Sequence, residues 1–213
     1  MILYYSPGAC SFAPHVALEE AGANFEAQRV VLAEGEHRSP EYLAINPRAR
    51  VPALDDGQGI ITENVAILNF IGAVYGADGS VPVADPHRAA RCNELLSWFA
   101  SSVHIAFAQL WRAERFTDDE GVHGAIQEGG RTNLRRYFDE IEALCGDGWL
   151  VPGGFTAADT YLTIFLRWGL RIGEAMSNYP RWAALVARSL ERPAVKKTVA
   201  AEGLEESQFR LPG

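Results

Sequence analysis

The sequence predicts a mixed α/β domain followed by an all-helical domain, and three observations lead there. Short β-favouring runs alternate with helical periodicity over residues 1–76, and from 87 to 213 helical periodicity stands alone. Between them, Gly76, Gly79, Pro82 and Pro86 punctuate residues 77–86 as a linker. With 213 residues, of which 48% are apolar and 22% charged, the chain is long and apolar enough to bury a sizeable core.

Ile2-Leu3-Tyr4-Tyr5 is the first strand, ended by the turn cluster Ser6-Pro7-Gly8, and Phe12, Val16 and Leu18 carry a helix that stops at Gly22. Phe25 to Leu32 reads as a second strand and Pro40 to Ile45 as a short helix. Val51 to Leu54 is a third strand, and Gly59 to Thr62 is a fourth after the Asp55-Asp56-Gly57 turn. Ala66, Ile67, Phe70, Ile71 and Val74 close the domain with a helix, and a right-handed βαβ unit followed by two adjacent strands orders these elements simply. In the second domain, Leu95, Leu96, Phe99, Val103, Phe107 and Leu110 predict one long helix, antiparallel to another over Asp119 to Leu144. Thr156 and Asp159 form an S/T-x-x-D capping pattern before the apolar run Tyr161 to Leu170, which gives both a structural role. Pro180 and Pro193 are placed to begin two further helices.

Charge and cysteine content exclude several classes of function. There are 19 basic and 27 acidic residues, a net charge of −8, and both halves are acidic, which argues against nucleic acid or an anionic membrane as a partner. No basic residue precedes Arg29, so a secretory leader is not expected. Leu95 to Trp111 is interrupted by Ser97, His104 and Gln109 and is short for a membrane span. A soluble, cytoplasmic protein is therefore expected. Cys10, Cys92 and Cys145 are odd in number and widely spaced, which suits neither a disulfide framework nor a zinc site. With no metal cluster and no nucleotide fingerprint, neither a metal nor a nucleotide cofactor is expected.

Three places carry chemistry. Cys10 lies between the Pro7-Gly8 turn and a helix, where free N–H groups and the helix dipole favour a thiolate. The competing reading is a small buried hydrophobe, and Ala13 stands where a dithiol enzyme has its second cysteine. Pro52 opens a strand. An ordinary strand boundary accounts for it, whereas a cis Val51–Pro52 bond would turn the Val51 N–H and C=O outward as an edge able to pair with an extended peptide. Glu63 and Asn64 stand where a strand runs into a helix. Glu63 either serves the helix dipole or accepts from a ligand ammonium, while Asn64 and the helix N–H groups would take a carboxylate.

Taken in order, these stretches resemble the bacterial, beta-class-like glutathione transferases. The motifs are Tyr5-Ser6-Pro7-Gly8-Ala9-Cys10-Ser11 with Ala13-Pro14-His15, Asn46 to Leu54, Glu63-Asn64-Val65-Ala66-Ile67, Val103-His104 with Phe107 and Leu110, Phe155 to Leu162, Leu166-Arg167-Trp168, and Glu191 to Val195 with Ala201-Glu202-Gly203-Leu204. The resemblance implies a thioredoxin-like first domain, a helical second domain and a homodimer. Glutathione would be co-substrate and a small electrophile the second partner.

By the same resemblance Val51 before a cis-Pro52 pairs with the cysteinyl backbone of glutathione. Glu63 and Asn64 hold its γ-glutamyl end, and Cys10 faces its sulfur with His104 nearby. Leu32, Arg50 and Ser97 complete the expected contacts, Ser97 across the dimer interface. An N–H of Cys10 or Ser11, a hydroxyl, or His104 would lower the thiol pKa of glutathione from its ordinary value near 8.5. His104, alone on an apolar face, also reads as a core residue. Of the aromatic and basic side chains at 111, 112, 116, 167, 168 and 171, only Trp168 is assigned to the electrophile pocket.

The sequence departs from the class at Asn64, where serine is usual, at Ser97, usually asparagine, and at Ile105, usually lysine. The expected function is conjugation of glutathione to an electrophile, with Cys10-dependent thiol-disulfide exchange as a second activity. A glutathione-dependent disulfide reductase and a non-catalytic carrier or interaction module are the alternatives.

Overall fold

The computed structural model describes residues 1–211. The sheet has the order β2-β1-β3-β4, built from β1 (Ile2–Tyr5), β2 (Glu26–Arg29), β3 (Ala53–Asp55) and β4 (Ile60–Thr62). β1 and β2 are parallel, and β3 runs antiparallel to both β1 and β4. Helix α1 (Phe12–Glu20) makes the βα crossover, α2 (Pro40–Ile45) precedes β3, and α3 (Asn64–Tyr75) follows β4. This is the thioredoxin-like arrangement with a helical domain after it.

Three strands are shorter than their sequence runs suggest, β4 by one residue at Gly59. β2 pairs only with the four residues of β1, and past the last bond, from the Val30 N–H to the Tyr5 carbonyl at 2.7 Å, Val31 and Leu32 have no strand to lie against; all four residues of β2 are exposed at the sheet edge. β3 starts two residues late, because the ladder with β1 ends at Tyr4 opposite Ala53 and Pro52 has no N–H to extend it. The Val51–Pro52 bond is cis. Val51 lies beyond the last rung, beside the loop that follows β1.

The helical domain comprises α4 (Pro86–Trp98), α5 (His104–Trp111), α6 (His123–Leu144), α7 (Ala157–Arg171), α8 (Pro180–Leu190) and α9 (Pro193–Ala201). The expected single helix over Leu95 to Leu110 is divided by a π-helical turn at Phe99–Val103. The physical reason is in the spacing: Leu95, Phe99, Val103 and Phe107 recur every four residues, a little more than one α-helical turn, and one wider turn returns the drifting face to the core. α6 runs antiparallel to this segment, with Gln127 bonded to the Leu110 carbonyl at one end and Tyr137 packed edge-on to Trp98 at the other. At the crossing a Cβ on Gly130 would lie 2.8 Å from Gln109 and 2.9 Å from the Ala106 carbonyl oxygen, so only glycine permits this approach.

One core runs through both domains. α1 packs against α3, α7 and α9, and its residues from Phe12 to Leu18 are buried all round because the helical domain covers the side that the sheet leaves open. A smaller cluster of Tyr4, Val30, Tyr42, Val51 and Ala53 occupies the other face of the sheet, under α2. Thr156 and Asp159 form the capping box: Asp159 accepts from the Thr156 N–H at 2.8 Å and hydroxyl at 3.1 Å, and its second oxygen accepts from the Leu150 N–H at 2.8 Å. No helix is long and apolar enough to cross a membrane among the described residues.

Candidate functional site

A cleft of about 510 Å³ opens between the loop after β1, the segment leading to Pro52 and the helical domain. Cys10, Leu32, Arg50 and Val51 line it from the first domain, and His104 and Trp168 from the second. The hydrogen bonds that hold its floor come from three chain segments. Asn64 Nδ2 donates to the Cys10 carbonyl at 2.9 Å, and the Cys10 thiol donates to the Val51 carbonyl at 3.6 Å. The Arg50 carbonyl accepts from both Tyr42 Oη and Asn46 Nδ2, each at 2.7 Å, which fixes the segment ahead of Pro52.

Several expected roles change in this setting. The Cys10 thiol is pushed up to about 12, because desolvation outweighs its own N–H, the Arg50 charge and Asn64, and Glu63 adds to the rise. At neutral pH it is a protonated donor, so the helix start does not make it a thiolate. Ser11 is fully buried, its hydroxyl donating to the Ser6 carbonyl at 3.2 Å and accepting from the Ser6 N–H at 3.1 Å. That hydroxyl braces the loop and does not face the cleft.

Asn64 is also buried, and its amide is turned inward on Cys10 with Oδ1 left without a partner. Glu63 is exposed at the head of α3 with φ +70°, a conformation that a glutamate adopts at a cost of order 1–3 kcal/mol. Ser97 is exposed on α4 and does not line the cleft.

On the helical side, Trp168 donates its indole N–H to the Gly8 carbonyl at 2.8 Å and packs edge-on to His104 at 5.1 Å between ring centres. Trp111, Arg112 and Arg171 line the same cleft, whereas Arg167 and Phe116 do not. Sequence reasoning missed His37 and Arg115 in the lining, and it missed Glu202, whose buried carboxylate accepts from the Gly8 N–H at 2.8 Å and from His15 Nδ1 at 3.0 Å. A glutamate close to Gly203 near the end of a helix carries no signal of that contact, which spans 194 residues of sequence.

Burial, and then the charges of Arg50 and Arg115, push His104 down to about 4, so its ring is neutral at pH 7. The folded value lies below the ordinary value of about 6.5. The ring's contribution to stability is therefore fully present above pH 6.5 and is lost as the pH falls towards 4. Urea denaturation at pH 7 and pH 4.5 is expected to show the wild type losing up to about 3 kcal/mol more than His104→Phe. Equal losses would mean that the imidazole is not held neutral.

A thioredoxin-like domain with a cis-proline beside a loop cysteine, joined to a helical domain across a cleft, defines a class of two-domain thiol-handling proteins. The comparisons with known proteins specify it. Residues 1–73 match the family model for the glutathione S-transferase N-terminal domain. A glutathione S-transferase of Xanthomonas campestris is 32% identical over 205 residues, covering 96% of this chain and 100% of that one.

Among solved structures, a glutathione transferase homologue from Sulfitobacter with bound glutathione superposes with a TM-score of 0.87 at 30% identity, covering 96% of this chain and 98% of that one. A bacterial beta-class glutathione S-transferase of Sphingomonas chungbukensis gives a TM-score of 0.83 at 33% identity, covering 96% of this chain and 100% of that one. The chain belongs to the glutathione S-transferase family.

Proposed function

We propose that this protein binds glutathione along the Val51 edge and adds its thiolate to an electrophilic carbon held against the helical domain. The observation that carries the reading is the meeting of three segments at Cys10, where Asn64 holds its carbonyl at 2.9 Å and Val51 accepts its thiol at 3.6 Å. The Val51 N–H and C=O pair with the cysteinyl backbone of the tripeptide, displacing the Cys10 thiol from that carbonyl. The strained, exposed Glu63 takes the γ-glutamyl ammonium, and the head of α3 with the second N–H of Asn64 takes the adjoining carboxylate. Arg50 takes the glycyl carboxylate, and Leu32 lies along the backbone.

A protonated Cys10 suits conjugation. As a thiol it donates to the glutathione sulfur, whereas a thiolate would repel it. Two charge-assisted donors at that sulfur supply the roughly one to two pKa units needed for ionisation at neutral pH. The neutral His104 stands on the other side of the cleft as a second candidate donor. A homodimer, with Ser97 of one subunit reaching the partner's glutathione, completes the proposal.

Calorimetric titration with reduced glutathione tests it. Wild type is expected to bind, and Glu63→Ala to weaken binding by at least about tenfold, the loss of a charge-assisted contact. Absence of binding to wild type would sink the transferase reading and leave a carrier or interaction module on the same fold.

A second reading, thiol-disulfide exchange, is favoured by the place of Cys10 as the cleft's own cysteine, since Cys92 and Cys145 are buried in the core. Cys10→Ala is expected to abolish reduction of a glutathione mixed disulfide and to retain conjugation within about threefold, because the other sulfur donors remain. Loss of both activities together would make Cys10 essential to a single exchange chemistry.

A further inference from the structure

The cleft wall contributed by the helical domain is positively charged although the protein is acidic. Arg50, Arg112, Arg115 and Arg171 line the cleft, and the lining contains no carboxylate. None of the four enters an ion pair among the described residues, whereas Arg131, Arg135, Arg181, Arg192 and Arg210 all do. Arg171 rests over the ring of Trp111 at 5.9 Å from its centre, and Trp111 packs edge-on to Trp168 at 5.2 Å. Trp111 stacks on Phe107 at 5.3 Å between ring centres and keeps 37% of its surface exposed, so indole surface and unpaired guanidinium groups are offered together.

Three titrating groups report the same positive field. Arg115 is pushed down by desolvation and then by Arg50 and Arg112, with only Glu114 opposing among its neighbours. His37, buried in the lining with Nδ1 unpartnered, is pushed down by burial and then by Arg38, Arg115 and Arg112. His104 is lowered by burial and then by Arg50 and Arg115. Like charges crowded at a concave surface without counter-charges are a costly arrangement unless an anion completes it.

Glutathione does not exhaust the surplus. On the reading above, its γ-glutamyl carboxylate lies at Asn64 and its glycyl carboxylate takes Arg50, which leaves Arg112, Arg115 and Arg171. We infer that the electrophile taken by this protein is a carboxylate-bearing molecule with a flat apolar body, its acid group received by Arg112 and Arg115 and its body laid on Trp111 beside Arg171. The inference rests on the glutathione reading and specifies the second substrate of the same site. Guanidinium groups match a carboxylate in a paired, two-bond geometry that an ester or amide cannot reproduce.

The test pairs the anion of chlorodinitrobenzoic acid, its chlorine flanked by both nitro groups, with the methyl ester of the same acid. In the catalysed reaction a carbon–sulfur bond to glutathione forms and the carbon–chlorine bond breaks. Chloride leaves with the electron pair, and the thiol proton passes to buffer. Binding is read by quenching of tryptophan fluorescence, with the protein alone and with it saturated by S-methylglutathione, which cannot react. Turnover is read as kcat/KM divided by the uncatalysed rate for each compound, since the ester activates the ring more.

The acid is expected to exceed the ester by at least about tenfold in both measurements, the effect of one charge-assisted pair. The preference should shrink as salt is raised and should fall to within about threefold in Arg112→Gln/Arg115→Gln, whose folding is checked by its Tm. An ester handled as well as the acid overturns the inference. So does a double variant that keeps the preference while the KM for glutathione rises, which would assign both arginines to the tripeptide. A protein that selects the acid but neither responds to S-methylglutathione nor turns over either compound sinks the glutathione reading instead, and leaves the anion site standing.

Discussion

Replacing Asp159 by alanine is expected to lower the stability by about 3–5 kcal/mol, one of the largest effects of any single side chain outside the apolar core. Asp159 has no exposed surface and accepts three hydrogen bonds, two from Thr156 and one from the Leu150 N–H. Burial outweighs those donors and pushes its pKa up to about 6, so at pH 7 it is mostly ionised. Alanine leaves the Thr156 and Leu150 donors without a partner at the head of α7, the helix that carries Trp168 into the cleft, and each stranded buried donor costs about 1–3 kcal/mol.

For a chain of this length the loss corresponds to a fall in Tm of roughly 10 °C. Thermal melting of the purified variant measures it. A shift within about 2 °C would show that water or a relaxed loop replaces the carboxylate, and that the cap is not a keystone of the fold.

Removing the Glu202 carboxylate is the second large effect. Gly8, at φ +66°, is held from three directions by the helical domain. Its N–H donates to Glu202, its carbonyl accepts from Trp168, and a Cβ added to it would lie 2.5 Å from the Arg167 guanidinium. Glu202 also takes His15 Nδ1 in α1, so one buried carboxylate ties the end of the chain to the loop that presents Cys10.

Glu202→Ala is expected to cost about 3 kcal/mol, because two buried donors lose their acceptor. Glutathione affinity should fall with it, since the loop is then free to leave the geometry that faces Val51. Glu202→Gln keeps one acceptor oxygen and is expected to recover about half of the stability. Comparing the Tm and the glutathione Kd of the two variants separates a purely structural tie from a positioning one. If both variants bind glutathione as wild type does, Glu202 acts on stability alone.

The two variants also mark where sequence reading stops. Asp159 was legible because its partner Thr156 is three residues away, and a capping box is a local pattern. The contact of Glu202 was not, because the donor it meets lies 194 residues earlier and is a backbone N–H, which has no sequence signature. The state of Cys10 shows the same limit. Its place ahead of α1 argues for a lowered pKa, yet desolvation on burial, with the Glu63 charge added to it, reverses the direction. The inward turn of the Ser11 hydroxyl likewise depends on how the Ser6–Cys10 loop closes on itself.

By itself the sequence determined what rests on spacing: the order of strands and helices, the helix starts at Pro40, Pro180 and Pro193, and the motifs of the glutathione transferases. Tertiary structure alone decided where β2 stops and β3 starts, since a strand extends only as far as its partner. It also decided which side chains share the cleft. Four arginines drawn from two domains acquire a common field only when folding brings them to one surface, because electrostatic free energy depends on distance and solvation and on neither of these does the order of residues report.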